Sequence, residues 1–149
     1  MNPNLSEQHK LSRWLNSELR ASHAGETGAV WIYRGILALS CNQDLRLFAQ
    51  RHLKTEEKHL KNIEALIMES QRSRFLTLWR VAGFLTGAFP AVLNPSAVYL
   101  TITAVETFVT RHYHEQITRI QKIKDPTCDL NQILSVLANC QAEEIKHRD

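Results

Sequence analysis

Four glutamates stand on helix faces that are otherwise apolar, and this pattern constrains the fold more than any other feature. Glu56, Glu106 and Glu144 each have apolar neighbours at helical spacing. The neighbours of Glu26 at this spacing are Leu15, Leu19, Ala29, Val30, Tyr33 and Leu37. An ionised carboxylate that points into a core needs a partner, because burying an unpaired charge is costly. We therefore expect a helical fold in which these carboxylates share a cationic partner.

Two of the four glutamates are followed by a histidine three residues later, which puts both side chains on one helix face. A lone Glu and then a Glu-x-x-His pair, in each half of the chain, is the ligand pattern of a dinuclear iron or manganese centre in a four-helix bundle. Such a set can bind two divalent ions and leave positions open for oxygen. The alternative is a coincidence of surface side chains. The predicted ligands are Glu26, Glu56, His59, Glu106, Glu144 and His147.

Composition favours long helices in a single domain over residues 1–149. The chain is 44% hydrophobic and has only five glycines and four prolines. The net charge is +3, and its basic residues are interspersed with acidic ones, so we expect no nucleic-acid partner. Three cysteines without metal-ligand or redox spacing indicate a reducing compartment, and Cys140 either lines the site or packs in the core.

The first helix is predicted from a cap at Ser6 to about Ser40, and the second follows residues 42–44 and reaches about Glu69. The last two are predicted from Pro95 to about Ile123 and from Asp129 onward. Three glycines lie in the first helix, where each costs about 1 kcal/mol relative to Ala. They indicate either close helix approach or room for a substrate beside Glu26. These glycines are Gly25, Gly28 and Gly35.

Residues 81–105 carry no charged side chain. Gly83, Gly87 and Pro90 are expected to interrupt a helix there, and Asn94-Pro95 reads as the start of a new one. We therefore predict a broken apolar hairpin, either buried in the bundle or dipping into a bilayer interface. The bilayer interpretation is favoured because the apolar side chains exceed what one short helix face needs. Those side chains are Phe75, Leu76, Leu78, Trp79, Phe84, Leu85, Phe89, Val92 and Leu93.

Several segments together resemble the demethoxyubiquinone hydroxylase family of ubiquinone biosynthesis, over nearly the whole chain. They are His23–Ala29 with Ile32, Tyr33 and Gly35, Glu56–Leu60, Leu78–Phe84, Ala104–Glu106, His112–Tyr113 and Glu144–Asp149. The resemblance implies a ferritin-like four-helix bundle with the apolar hairpin added, and a di-iron centre held by the same six ligands. It also implies a polyprenyl quinol substrate and peripheral membrane attachment. Ser22 and Thr107 depart from the family pattern, which has acids there.

The resemblance implies an O2-dependent monooxygenase that hydroxylates the ring of a demethoxyubiquinol-type substrate with NADH or another reductant. It places His112 and Tyr113 on the substrate side, to position the quinol or to relay an electron and a proton. The alternative is a hydrogen bond to a ligand and a core aromatic. Helix rise puts Tyr113 ~10 Å from Glu106, too far to bind metal. His23, one turn before Glu26, is expected to orient a ligand.

Two other functions are compatible with the residues. One is a ferritin-like ferroxidase or peroxidase, and the other is a non-catalytic membrane-associated bundle that binds quinone or a partner protein. The N-terminal residues 1–4 resemble no signal or transit peptide. We therefore expect the cytoplasmic side of a bacterial cell membrane, or the mitochondrial inner membrane for a processed chain. Expected partners are the membrane surface, a lipid-presenting protein and other ubiquinone-biosynthesis proteins.

Overall fold

The computed structural model describes the backbone of residues 3–123 and 128–148, and the side chains of residues 11–123 and 130–146. Every regular element in these ranges is helical, as predicted. The helices are α1 (Pro3–Leu39), α2 (Gln43–Glu64), α3 (Leu76–Leu93), α4 (Pro95–Gln121) and α5 (Cys128–Arg148), with a short 3-10 helix at Glu69–Gln71.

The four longest helices pair as a bundle, and α3 is the additional element. α1 packs against α2, α4 packs against α5, and α2 also contacts α5. α3 lies along α1, its most extensive neighbour, and touches α4. The predicted hairpin is therefore α3 followed by the first turns of α4, and it covers one side of the bundle.

Asparagine caps begin two of the helices. The side chain of Asn42 accepts a hydrogen bond from the Leu45 N–H at 2.9 Å, and that of Asn94 accepts one from the Ala97 N–H at 2.9 Å. The predicted start at Asn94-Pro95 is confirmed. The start at Ser6 is wrong, because α1 begins at Pro3, whose missing N–H suits a first helical turn. α2 ends at Glu64, earlier than predicted.

α3 runs unbroken through Gly83, Gly87 and Pro90, so the hairpin breaks only at Asn94. The predicted interruptions are wrong because these glycines serve a close approach of α1 and α3. A Cβ on Gly83 would lie 2.3 Å from the Gly28 carbonyl oxygen, and one on Gly87 would lie 1.9 Å from that of Ile32. Backbone contact along α1 thus outweighs the low helix propensity of glycine. Pro90 falls near the helix end, where the Asn94 N–H donates to its carbonyl at 3.2 Å.

The apolar core consists of two clusters of buried side chains with a polar layer between them along the helices. The first cluster is Leu19, Ile63, Ile67, Tyr113, Ile120, Leu130, Ile133, Leu137 and Cys140. The second is Ile32, Tyr33, Ile36, Leu45, Ala49, Val98 and Ile102. Each bundle helix crosses the layer once. The layer is where the predicted carboxylates lie.

Candidate metal centre

Four glutamates, one from each bundle helix, meet in the layer between the two clusters. On α1, Glu26 lies between Leu19 and Ile32, and on α4, Glu106 lies between Ile102 and Tyr113. All four carboxylates are buried, with exposed fractions of 3% or less. Because each bundle helix carries one of these acids within its apolar face, folding the bundle brings the four acids together.

His59 lies among these acids. Its Nδ1 atom is 3.0 Å from Oε1 of Glu144, 3.7 Å from Oε2 of Glu56 and 3.8 Å from Oε2 of Glu26. One ligand atom from each of these four residues lies within 4.8 Å of the others. Glu26, Glu56, His59 and Glu144 are therefore brought together as predicted.

Glu106 joins the cluster through Tyr33 and its neighbouring acid. The Tyr33 hydroxyl donates to Oε1 of Glu106 at 2.9 Å. The carboxyls of Glu106 and Glu144 are near enough for Glu144 to raise the pKa of Glu106 by hydrogen bonding and charge. On the other side, the Tyr113 hydroxyl donates to Oε1 of Glu26.

The protein alone does not neutralise this cluster. Burial, and then the charges of Glu56 and Glu144, raises the pKa of Glu26 to about 8. Burial, and then Glu144 and Glu56, raises that of Glu106 to about 11. For His59, burial lowers the pKa, but contacts with Glu144 and Glu56 and the charge of Glu26 outweigh it and raise the pKa to about 12. Glu26 and Glu106 therefore hold protons that a cation could replace.

The donor set suits hard or borderline divalent cations. It offers carboxylate oxygens and an imidazole nitrogen, the ligands that iron and manganese share in such bundles. Oε2 of Glu26 is buried with no hydrogen-bond partner among the described side chains, and it faces Nδ1 of His59 at 3.8 Å. A cation would satisfy this oxygen. The residues present therefore fit a dimetal centre.

An outer carboxylate fixes the His59 ring. Its Nε2 atom donates to Oε2 of Glu143 at 2.8 Å, which leaves Nδ1 facing the cluster as the ligand atom. Lys58 in turn donates to Oε1 of Glu143 at 2.7 Å. The hydrogen bond from Lys58 is the largest contribution that lowers the pKa of Glu143 and keeps it an acceptor. Sequence reasoning missed Glu143, although its place beside Glu144 was a signal.

A cavity of about 220 Å³ opens beside the carboxylates. Glu26, Glu56, Glu106 and Glu144 form its polar end. The rest of its wall is Ala21, Ser22, Ala24, Gly25, Ala29, Trp79, Val105, Phe108, Val109, His112 and Tyr113. Two of these side chains, Trp79 and Phe108, are 45% and 61% exposed, so the mouth lies between α3 and α4. The cavity is an apolar passage that ends at the acids.

The two predicted roles of the α1 glycines, room for a substrate and close helix approach, are found at different glycines. No atom lies within 4 Å of a Cβ built on Gly25, so this glycine leaves the cavity open beside Glu26. A Cβ on Gly35 would lie 2.2 Å from the Phe84 carbonyl oxygen, so this one serves close helix approach. One α1 glycine makes room, and another brings α3 near.

His112 and Tyr113 both lie in the cavity wall. Nε2 of His112 is buried without a hydrogen-bond partner among the described residues. Tyr113 is tied directly to Glu26, a contact that helix spacing did not predict. The mechanistic role of both side chains stays a prediction.

Three further side chains bear on the expected site. His23 does not orient a ligand as expected, since its Nε2 contacts Oε1 of Glu64 at 3.3 Å on another face of α1. Cys140 packs in the first cluster, and burial raises the pKa of its thiol to about 12. The side chain of His147 lies outside the described residues, so its place among the ligands remains a prediction.

Comparison with known proteins gives one family and several relatives. Residues 13–149 match the family model described as ubiquinone biosynthesis protein COQ7. A Rhodospirillum rubrum protein named 3-demethoxyubiquinol 3-hydroxylase is 34% identical over 134 residues, which are 88% of this chain and 60% of the relative. A Mus musculus protein named NADPH-dependent 3-demethoxyubiquinone 3-hydroxylase, mitochondrial, is 32% identical over 133 residues, again 88% and 60%. The chain thus spans about 60% of the length of these relatives.

Proposed function

Because the chain belongs to the COQ7 family of ubiquinone biosynthesis, we propose that it hydroxylates the ring of a demethoxyubiquinol-type polyprenyl quinol. One atom of O2 enters the ring and the other leaves as water; NADH supplies two electrons and one proton as a hydride, or another reductant supplies the electrons, and solvent supplies the remaining protons. The bacterial and mouse relatives carry names for this reaction class. The observation that carries the proposal is an apolar cavity ending at four buried carboxylates.

Two iron ions would be held by Glu26, Glu56, His59, Glu106, Glu144 and, as the sequence predicts, His147. When bound, they supply the electron exchange with O2 and the charge stabilisation that ring hydroxylation requires. Tyr33 and Tyr113 orient Glu106 and Glu26, and Glu143 orients His59. The two apolar clusters on either side exclude water from this layer.

The cavity wall orients the ring. On the α4 side, the ring would contact the apolar side chains of Val105, Phe108 and Val109. On the α1 side, Gly25 leaves space. The buried Nε2 of His112, which has no hydrogen-bond partner among the described residues, is the proposed contact for a quinol hydroxyl. The Tyr113 hydroxyl lies between this cavity and Glu26, where it can hold or pass a proton. His112 and Tyr113 are therefore the proposed substrate contacts.

The membrane proposal rests on α3, which presents a wide apolar surface. Among the described residues, α3 alone is long and apolar enough to cross a membrane by length and composition, and only 22% of it is buried. Its packing along α1 through glycine backbone contacts favours docking at the interface over spanning. We call the exposed apolar side chains of α3, of Phe75 just before it and of α4 the docking face. They are Phe75, Leu78, Trp79, Val81, Leu85, Phe89, Val92, Leu93, Tyr99, Leu100 and Phe108.

The cavity mouth lies within the docking face, since Trp79 and Phe108 belong to both. A polyprenyl quinol could therefore move from lipid to the acids without crossing water. This supports a membrane-bound location, either a bacterial cell membrane or, since the mouse relative is named mitochondrial, the mitochondrial inner membrane. A lipid-presenting protein or other ubiquinone-biosynthesis proteins are proposed partners of this face.

The test is to supply the iron-loaded protein with demethoxyubiquinol, O2 and NADH, and to measure the hydroxylated quinol by mass spectrometry. Product formation by wild type and loss of product in Glu144→Ala are expected. Oxidation of Fe²⁺ without quinol product would instead support a ferroxidase or peroxidase. Quinol binding with neither activity would support a non-catalytic bundle.

A further inference from the structure

A second cavity, of about 560 Å³, lies against the face of α1 opposite the cavity beside the carboxylates, which we call the metal cavity. Residues of α1, α2 and α3 line it, together with Arg72 from the segment between α2 and α3. Unlike the metal cavity, it is bordered mostly by polar and charged side chains. We call it the basic cavity, and its charged residues are Arg34, Lys61, Arg72, Arg80, Glu57 and Glu64.

The two acids do not balance the four cations. Glu57 pairs with Arg34 at 3.0 Å, and Glu64 pairs with Arg72 at 3.4 Å. Lys61 and Arg80 have no ion-pair partner among the described residues. The basic cavity therefore carries two uncompensated positive charges and is complementary to an anion.

Buried polar atoms in the same wall lack partners. His23 is 1% exposed, and its Nδ1 atom makes no hydrogen bond among the described residues. Burial lowers the pKa of His23, and its Nε2–H faces Glu64, so Nδ1 of the neutral ring is an acceptor. Nε of Arg72 is a buried donor that also lacks a partner. A ligand with an anionic group and a hydroxyl would satisfy both atoms.

The basic cavity continues into an apolar groove. The groove has a volume of about 440 Å³ and is lined by Trp31, Thr77, Arg80, Val81, Phe84 and Leu85. Trp31 and Arg80 belong to both spaces. Val81 and Leu85 in the groove are also part of the docking face. A charged pocket thus opens onto the surface that we propose faces lipid.

We propose that the basic cavity binds the phosphate headgroup of one anionic phospholipid whose acyl chain lies in the groove. Lys61 and Arg80 contact the phosphate, Nε of Arg72 donates to it, and Nδ1 of His23 accepts from a headgroup hydroxyl. The site rests on the proposed docking of α3 and adds a preference for acidic lipid. The adjoining groove favours a lipid over a free phosphate, because only the lipid has a chain to fill it.

The test uses the full chain and soluble short-chain lipids, with binding measured by calorimetry. Dihexanoyl phosphatidylglycerol should bind once per chain, about tenfold or more tightly than dihexanoyl phosphatidylcholine. The double variant Lys61→Gln with Arg80→Gln should lose about tenfold or more of the affinity for phosphatidylglycerol. A control with the same charge change, Arg51→Gln with Lys54→Gln, alters two exposed side chains of α2 outside the basic cavity and should change it by about twofold at most.

Equal affinity for the two lipids, or an equal loss in both double variants, would overturn the site. Glycerol 1-phosphate, which lacks the chain, should bind about tenfold or more weakly than phosphatidylglycerol. Equal affinity for this compound would overturn the lipid as occupant. Hydroxylation is assayed separately, and docking is assayed on phosphatidylcholine vesicles, so failure of the proposed function or of the docking face is distinguishable from failure of this site.

Discussion

Tyr113 on α4 donates its hydroxyl hydrogen to Glu26 on α1. The reverse contact also exists, because Tyr33 on α1 donates to Glu106 on α4 at 2.9 Å. Each tyrosine follows the glutamate of its own helix by two helical turns. These two reciprocal hydrogen bonds join the first and second halves of the chain across the polar layer. Of the two tyrosines, only Tyr113 also lines the metal cavity.

This asymmetry predicts different outcomes for two matched variants. Tyr33→Phe and Tyr113→Phe each remove a hydroxyl that orients a ligand, so both should weaken iron binding. At full iron occupancy, only Tyr113→Phe should lower quinol turnover, by about tenfold or more, because only this hydroxyl lies at the substrate cavity. Iron content and turnover are measured on the same samples. Equal turnover in the two variants would remove Tyr113 from the substrate step.

Replacing a cluster acid should remove metal. Anaerobic loading of wild type should give about two irons per chain. Glu56→Ala and Glu144→Ala should lose this iron and the activity together, while Glu57→Ala, which alters a part-exposed acid paired with Arg34, should keep both. Metal analysis by mass spectrometry measures the occupancy. Full occupancy in Glu144→Ala would refute the assignment.

The stability of the metal-free protein should fall as pH rises. Folding raises the pKa of Glu26 from 4.5 to about 8, so the folded state holds more protons than the unfolded chain between these values. The free energy of unfolding then decreases with pH, on the order of 1 kcal/mol per pH unit. The raised pKa of His59 acts in the same direction above 6.5.

Bound metal should reverse this trend, because it replaces the protons and binds better as pH rises. Thermal unfolding at about pH 6 and about pH 8, followed by circular dichroism with and without Mn²⁺, measures both effects. A metal-free protein that is more stable at the higher pH would contradict the prediction.

The docking face should control vesicle binding. Phe89→Asp and Leu100→Asp place charges at side chains that are 70% and 73% exposed, and each should weaken binding to liposomes about tenfold or more. Leu47→Asp, at a 52% exposed position on α2 outside this face, is the matched control and should bind normally. Flotation assays measure the bound fraction. Iron content should stay unchanged in all three.

The glycines of α1 and α3 allow separate tests of the open space beside Glu26 and of the close contact between the two helices. Gly25→Ala adds a Cβ with no atom within 4 Å and should raise stability by about 1 kcal/mol. Gly83→Ala places a Cβ 2.3 Å from the Gly28 carbonyl oxygen and should lower the melting temperature, because α1 and α3 must separate. Gly25→Leu should fill the cavity and abolish turnover with iron retained. Normal turnover in this last variant would mean that the quinol ring does not use this space.

Helix periodicity was enough to predict which acids meet. Glu26, Glu56, His59 and Glu144 come together because each faces inward from its helix, with Glu56 and His59 both on α2, and this is a property of single segments. The tyrosine partners could not be predicted in the same way. Whether Tyr113 reaches Glu26 depends on how α1 and α4 are placed relative to each other, which spacing along one helix does not contain.

The predictions that are wrong fail for a similar reason, since each depends on contacts between helices. Local helix propensity predicts that Gly83 and Gly87 interrupt a helix, whereas their contact with α1 decides the outcome. The distance of one turn along α1 predicts that His23 orients Glu26, yet its ring faces Glu64 on α2. Glu143 was missed because its importance lies in the His59 ring that it holds from another helix.

The backbone contact between α1 and α3 links the lipid surface to the chemistry. α1 carries Glu26, and α3 carries most of the docking face. At Gly83 and Gly87 no side chain separates the two helices, so their backbones are in direct contact. A docked α3 would then hold the carboxylates at one fixed height above the bilayer. Only the quinol ring would need to rise by that height, while its tail stays in lipid. The chain would thus distinguish substrates by their rings and accept isoprenoid tails of different lengths.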